Sequence, residues 1–222
     1  MKQFRYELFE PRKLERVTSE SGKRLYVTPE GEKYPSVTTA LSYLSRKGIA
    51  AWRARVGVET ANKISSQASR SGTAMHDIAE KYTLGTLDEK AANPIALDRF
   101  RQIQPFLDDH VDVINGIELQ MYSHTLMAAG TADLLCQYKG KNTVLDFKTS
   151  RRPKTKDKIT NYFIQAGSYG IMAYEMYGWK PEKIVILMSV QDDEAIVFEE
   201  DILPYMKMAK KFFQFYHEGK LV

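Results

Sequence analysis

The stretch "GTADLLCQYKGKNTVLDFKTS", residues 130–150, predicts two strands joined by a turn. Apolar residues fill both arms, and Lys139-Gly140-Lys141-Asn142 supplies a polar segment with the glycine that tight turns prefer. A purely structural hairpin does not need charged residues such as Asp133, Asp146 and Lys148 within its arms. These three side chains therefore need an explanation beyond the formation of the hairpin.

The pairing of the two strands determines where the three charges lie. With the turn centred between Gly140 and Lys141, we expect Asp133 to lie opposite Lys148. Asp146 then shares their face of the sheet, because side chains alternate along a strand. The patch would measure less than about 10 Å across. Either an ion pair or a hard divalent cation such as Mg²⁺ or Mn²⁺ would stabilise two carboxylates so close together, and the residues alone leave both readings open.

The rest of the C-terminal half predicts an α/β fold with a mixed sheet. A strand, a helix ended by Gly178 and a second strand form a crossover unit, which places its two strands parallel in one sheet. We predict strands at residues 117–123, 131–138, 143–148, 183–190 and 195–199, and helices at 160–177 and 203–217.

The N-terminal half predicts extended segments followed by helices. Residues 25–28 and 33–34 flank the turn signal Pro29-Glu-Gly31, and Ser36 is the expected N-cap of a short helix. Further helices are predicted at 50–67, from Gly72 to Gly85, and at 93–110. We expect an N-terminal region of extended segments and helices, residues 1–115, which includes the His76 helix, packed on a core of strands and helices, residues 116–222, as one compact unit.

Composition narrows the class of protein. The 222 residues are 43% hydrophobic and carry a net charge of +4, which is compatible with a polyanionic partner. Cys136 is the single cysteine, so an internal disulfide and an iron–sulfur cluster on four cysteines are excluded. No apolar run approaches the ~18 residues of a membrane span. We therefore expect a cytoplasmic protein without a membrane partner.

Asp133 and the later Asp146-Phe-Lys148 resemble the signature of the PD-(D/E)xK nuclease superfamily. Four further features are similar to its RecB-type exonuclease branch: His76 after Gly72, Glu118, the "G-x-x-D" of Gly130 to Asp133, and the "Q-x-x-x-Y" of Gln165 to Tyr169. "YPSVTTALSYLS" and "DFKTS" resemble segments of the mitochondrial genome maintenance exonuclease family and its phage-encoded relatives. The resemblance covers about residues 34 to 190.

The resemblance implies a restriction-endonuclease-like core and a metal-dependent DNA exonuclease that acts on single-stranded ends. Asp133, Asp146 and Lys148 would be catalytic. One or two Mg²⁺ or Mn²⁺ ions would be bound by Asp133 and Asp146 with His76, Glu118 and the Phe147 carbonyl. Gln120 competes with Glu118 for this role. Lys148 would either position or deprotonate a water, or stabilise the charge on the phosphorane.

The same resemblance, together with the basic run "RRPKTKDK", identifies candidate contacts to DNA. These are Ser36, Thr38, Arg70, Arg151, Arg152, Gln165 and Tyr169. The N-terminal helices would arch over the cleft so that only a free strand threads through. A monomer from a bacterium or phage is favoured.

Two other functions stay open at this level. An endonuclease of the same superfamily would use the same acids and lysine. A non-catalytic nucleic-acid-binding module would retain the fold, although it would have no need for crowded carboxylates.

Overall fold

A computed structural model describes residues 2–19, 22 and 24–221. Residues 1, 20, 21 and 23 of the predicted region 1–115, and residue 222 of the predicted region 116–222, lie outside the described residues. The strands are β1 (Arg5–Tyr6), β2 (Glu15–Thr18), β3 (Arg24–Val27), β4 (Lys33–Pro35), β5 (Val111–Ser123), β6 (Ala128–Tyr138), β7 (Lys141–Ser150), β8 (Lys183–Val190) and β9 (Ile196–Asp201). The helices are α1 (Val37–Val56), α2 (Val58–Thr83), α3 (Pro94–His110), α4 (Thr160–Tyr177) and α5 (Ile202–His217), with a 3₁₀ turn at Lys156–Ile159.

The main sheet is mixed and has six strands in the order β1-β5-β6-β7-β8-β9. β1 is parallel to β5 and β7 is parallel to β8, whereas the other neighbours are antiparallel. β2, β3 and β4 form a separate three-stranded sheet. The predicted fold class, an α/β protein with a mixed central sheet flanked by helices and an N-terminal helical region, is confirmed.

Helices cover both faces of the main sheet because apolar residues on successive positions of the central strands point to opposite sides. Leu135 packs in one core cluster with residues of α1, α4 and α5. Leu134 and Cys136 pack in the other with residues of α2 and α3. Cys136 is fully buried, as expected for an inert core thiol.

The register of the β6–β7 hairpin differs from the predicted one by two residues. Tyr138 pairs with Lys141, so the turn consists of Lys139 and Gly140 alone. Both turn residues have positive φ, 51° and 72°, as a two-residue hairpin turn of the primed type requires. The predicted pairing of Asp133 with Lys148 is therefore wrong. A shift of two residues nevertheless keeps every side chain on its predicted face.

The first two helices also differ from the prediction. Ser36 caps α1 as expected, with its side chain accepting a hydrogen bond from the Thr39 amide. However, α1 is not short, and the break falls at Gly57, whose φ is 85°. α2 then continues through Gly72, since a glycine inside a helix lowers stability by only about 1 kcal/mol relative to alanine. The separate helix predicted at 50–67 is therefore wrong.

The C-terminal elements follow the prediction closely. α4 covers the predicted residues and ends at Gly178, which adopts the left-handed conformation with φ 65°. β8 matches, and β9 and α5 begin one residue later and one residue earlier than predicted. Among the described residues, no helix is long and apolar enough to cross a bilayer.

The crossing of α4 over α5 depends on a glycine. A Cβ atom at Gly167 would lie 2.7 Å from the backbone of Tyr205, which cannot move as a flexible side chain can. The fold therefore requires the absence of a side chain at this position.

We predict that Gly167→Ala lowers the free energy of unfolding by roughly 1–3 kcal/mol, because the added methyl group overpacks the α4–α5 contact. Gly48→Ala is the matched control, since a Cβ there meets no atom within 4 Å and alanine favours a helix by up to about 1 kcal/mol. Urea denaturation followed by circular dichroism measures both. Equal effects of the two substitutions would contradict the close crossing.

Candidate active site

Glu118 and Asp133 lie side by side on neighbouring strands. Leu119 pairs with Ala132, which places Glu118 of β5 opposite Asp133 of β6. Glu118 has a φ of 43°, a conformation that disfavours a residue with a side chain. Strain of this kind is retained where the surrounding structure holds a residue in place, often at functional sites.

Asp133 also lies beside the third carboxylate of the row. The β6–β7 ladder ends at the pair Leu134 and Leu145, so the next residues, Asp133 and Asp146, face each other. Beyond this point the Phe147 amide donates its hydrogen bond to Oδ2 of Asp133, at 2.8 Å, instead of to the backbone of β6. Glu118, Asp133 and Asp146 therefore form a row across the adjacent strands β5, β6 and β7. The row lies where the backbone pairing of β6 with β7 ends.

His76 approaches this row from α2. Its Nδ1 lies 3.5 Å from Oδ2 of Asp133, and its ring meets the Phe147 ring edge-on. His76, Glu118 and Asp133 each offer one ligand atom, and these atoms all lie within 4.8 Å of one another. Small rotations of these side chains would bring the three atoms to the spacing that one divalent ion demands.

Asp146 is almost completely buried, at 1% exposure, and its two oxygens have different partners. Oδ2 lies against the Lys148 ammonium in an ion pair, and Oδ1 accepts a hydrogen bond from Nε2 of Gln165 at 3.2 Å. Gln165 also donates to the Tyr169 hydroxyl at 3.4 Å. The aspartate and the lysine are thus held in place by α4.

Two sequence motifs that stand far apart in the chain meet here. Tyr169 packs so closely on Gly130 that a Cβ atom at Gly130 would lie 2.7 Å from its ring. The "G-x-x-D" segment therefore needs glycine because the tyrosine of "Q-x-x-x-Y" occupies the space of a side chain.

The acids of the row do not all ionise together near neutral pH. Burial, together with Asp133 and Glu80, raises the pKa of Glu118 to about 8. Burial also raises the pKa of Asp146 to about 6, although Lys148 opposes the rise. Burial acts to lower the pKa of Lys148, but Asp146 and Asp133 outweigh it and raise the pKa, so the ammonium stays charged. One lysine does not neutralise these acids.

The predicted residues divide between two clefts. Most of them line a cleft of about 660 Å³, here called the carboxylate cleft: Ser36, Thr38, His76, Glu118, Asp133, Lys148, Gln165 and Tyr169. Arg70 and Arg151 line a second cleft on another side of α2, and the exposed Arg152 lines neither. The carbonyl of Phe147 stays a predicted ligand. Gln120 accepts a hydrogen bond from the Leu14 amide and does not line the carboxylate cleft.

Sequence reasoning missed several residues of the carboxylate cleft. Glu80 lines it one helical turn after His76, and this i, i+4 spacing is a signal that the sequence does contain. Arg16 and Arg24 reach it from the small sheet, and no local pattern marks them because their position depends on how the two sheets pack. Tyr162, which does not line the cleft, was also missed; its ring centre lies 5.2 Å from the Lys148 ammonium nitrogen.

Comparison with known proteins leaves the family undefined. No protein-family model and no curated protein matches the chain. The solved structures that are similar include a protein of Eubacterium rectale described as a "putative exonuclease". It shares 12% sequence identity, with 68% of each chain covered and a TM-score of 0.44. A similarity this low assigns neither a family nor an activity to this chain.

We predict that the metal-free protein loses stability as the pH rises from about 4.5 to about 8. In this range the folded state retains a proton on Glu118 that the unfolded state has released, so a rise in pH favours unfolding. A divalent ion must displace the same proton, so its affinity should increase with pH up to about 8. Melting temperatures in EDTA and calorimetric titration with Mn²⁺ across this range measure both effects.

The control for this prediction is a pair of substitutions. Glu118→Gln should reduce the slope of both pH profiles, most clearly between about pH 6 and 8, because Asp146, whose pKa is raised to about 6, contributes below that range. Glu59→Gln, at an exposed position of α2, should leave both profiles unchanged. Unchanged profiles in the Glu118 variant would mean that another group titrates.

Proposed function

We propose that this protein is a metal-dependent deoxyribonuclease of the PD-(D/E)xK superfamily, an exonuclease that acts on single-stranded DNA ends. One observation carries the proposal: Glu118, Asp133 and Asp146 form a row across three strands, with Lys148 and His76 at the same cleft. A structural ion pair would need one acid for one lysine. A surplus of carboxylates beside an imidazole instead supports a site for a hard cation.

The donor set fits Mg²⁺ or Mn²⁺. Asp133, Glu118 and His76 would hold the ion, and the buried Asp146 would join them by exchanging part of its contact with Lys148. Burial is the main cause of the raised pKa of Glu118, and Asp133 and Glu80 raise it further, so a divalent cation would relieve the repulsion among these acids. A divalent cation bound there would supply Lewis-acid activation of the scissile phosphodiester.

The side chains around the cation site have separate tasks in this proposal. The Lys148 ammonium is held in its charged form, which favours a role in stabilising negative charge on the phosphorus centre over a role as a base. Gln165 orients Asp146 through its hydrogen bond, and Tyr169 in turn holds Gln165. Arg16 and Arg24, at the rim of the same cleft, would bind flanking phosphates.

Preference for single-stranded ends is proposed from the helices above the sheet. The end of α1 and the start of α2 meet at Gly57, and Ala61 is the single buried residue between positions 42 and 70. Residues 46–70 contain six basic residues and one acid. This exposed basic segment, which leads along α2 to His76, would guide one strand to the cleft, and a duplex or a closed circle would enter less readily.

We predict that Asp146→Asn reduces cleavage of single-stranded DNA by at least about a hundredfold, as expected when a group that holds or orients a metal is lost. Binding of the same DNA should persist, because phosphate contacts supply most of the affinity. Asp98→Asn, at an exposed position of α3, is the matched control and should cleave like the parent. An Asp146→Asn variant with parental activity would refute the assignment.

The end preference has its own test. Linear and circular single-stranded DNAs of one sequence are incubated with Mg²⁺, Mn²⁺ or EDTA, and products are resolved on a denaturing gel. The proposal expects degradation of the linear strand alone and no degradation in EDTA. Cleavage of both substrates would identify an endonuclease, and tight binding without cleavage of either would identify a binding module.

A further inference from the structure

A second cleft, of about 500 Å³, lies on the other side of α2 from the carboxylates. Three arginines from three different elements line it: Arg70 from α2, Arg99 from α3, and Arg151 directly after β7. This space is called the arginine cleft below. Its walls are formed by α2, the start of α3 and the C-terminal end of β7, the strand that carries Lys148.

The arginine cleft differs in charge from the carboxylate cleft, where acids and the basic residues Arg16, Arg24 and Lys148 occur together. Three guanidinium groups line the arginine cleft and, among the described residues that form its wall, none is an aspartate or glutamate. The carboxylate cleft, in contrast, is lined by Asp77, Glu80, Glu118 and Asp133. Arg70 and Arg151 are exposed and Arg99 is half-buried, and three positive charges converging on one cleft without an acid in its wall attract an anion.

Arg99 supplies a specific reason for an anion at this place. Its Nη1 atom is buried, and no group among the described residues accepts a hydrogen bond from it. A buried guanidinium nitrogen without an acceptor is unfavourable, because it has lost its hydration and gained nothing in return. Arg99 lines the cleft, so a rotation of its guanidinium toward an anion held there would provide the missing acceptor.

The start of α3 adds to the same electrostatic field. Asn93, Ile95 and Ala96 line the cleft, so the N-terminus of this 17-residue helix opens into it. Helix N-termini favour negative charge through the helix dipole and their free amide groups. Here Pro94 has no N–H and the Ala96 amide already donates to Oδ1 of Asn93, so the contribution comes from the dipole and the Ile95 amide. Together with the guanidinium forks, which match the oxygens of phosphate, these groups favour a phosphate over a simple halide.

The position of the cleft relates it to the catalytic row. Lys148 lines the carboxylate cleft, and the next three residues of the chain, Thr149, Ser150 and Arg151, line the arginine cleft. At about 3.3 Å per residue, Lys148 and Arg151 are about 10 Å apart. This distance corresponds to no more than about three phosphates along a strand.

We propose that the arginine cleft is a metal-independent site that binds a phosphate group of the DNA strand whose scissile bond lies in the carboxylate cleft. The link to the scissile bond rests on the proposed nuclease function, whereas anion binding by the cleft does not. The phosphate is either a backbone phosphodiester or the terminal phosphate of the strand, and both present the same oxygens to Arg99.

Inorganic phosphate tests the site without DNA or metal. In EDTA, phosphate should raise the melting temperature of the parent protein and of the control Arg101→Ala. It should not raise that of Arg99→Met or Arg151→Ala. Arg101 is the matched control because it is an exposed arginine two residues from Arg99 that pairs with Glu89. Arg151 is exposed, so its variant retains the fold even if Arg99→Met does not.

Single-stranded oligonucleotides with a 5′-phosphate, a 3′-phosphate or neither then identify the source of the phosphate. Fluorescence anisotropy in EDTA should show affinity losses of about tenfold for Arg99→Met and Arg151→Ala. The slope of log affinity against log salt should fall by about 0.7 for each lost phosphate contact. An equal loss for all three oligonucleotides assigns the cleft to the backbone, and a loss confined to one phosphorylated end assigns it to that end.

The proposal is overturned if phosphate does not stabilise the parent protein and the Arg99 and Arg151 variants bind all three oligonucleotides as Arg101→Ala does. Because the assays contain EDTA and measure binding, that result would leave cleavage untouched. Cleavage is decided separately by the linear and circular substrates.

Discussion

The hydrogen bond from the Phe147 amide to the Asp133 carboxylate is the contact on which the site depends. At this point the β6–β7 ladder stops, and a side chain takes the place of a backbone acceptor. The buried amide stays satisfied, so the two strands separate without leaving a polar group unpaired. β7 meanwhile continues along β8, which keeps Lys148 in register with Met188. The carboxylate cleft is thus an opening between strands that the sheet itself holds in place.

Such an opening concentrates charge at the expense of stability. Asp146 is buried beside Asp133, and Glu118 is held at a positive φ next to both. Each of these features is unfavourable in isolation, because burial and like charge oppose ionisation. Two apolar clusters, one on each face of the sheet, hold the strands in spite of this. A strained and charged site on a well-packed scaffold is the arrangement expected where function and stability compete.

The sequence predicts the composition of the site better than its geometry. The two-residue periodicity of strands placed Asp133, Asp146 and Lys148 on one face, and an error of two residues in register did not alter that face. The pairing itself could not be predicted, because it depends on Lys139 accepting a positive φ beside Gly140. The helix break had a similar cause: Gly57 and Gly72 look alike in sequence, and only Gly57 adopts a conformation that ends a helix. Arg16 and Arg99 were missed because their positions depend on packing between distant segments.

α2 connects the two clefts through opposite faces of a single helix. His76 and Glu80 recur at helical spacing on the face toward the carboxylates, and Gln67, Ser71 and Ala74 recur on the face toward the arginines. At Gly72 the helix lies close enough to β7 that a Cβ atom there would contact the Thr149 hydroxyl oxygen at 3.5 Å. The boundary between the clefts is therefore a direct contact of helix and strand, one residue after Lys148. Because one rigid helix carries groups of both clefts, the distance between a phosphate held by Arg99 and the row of acids would be fixed by the fold rather than by a mobile loop.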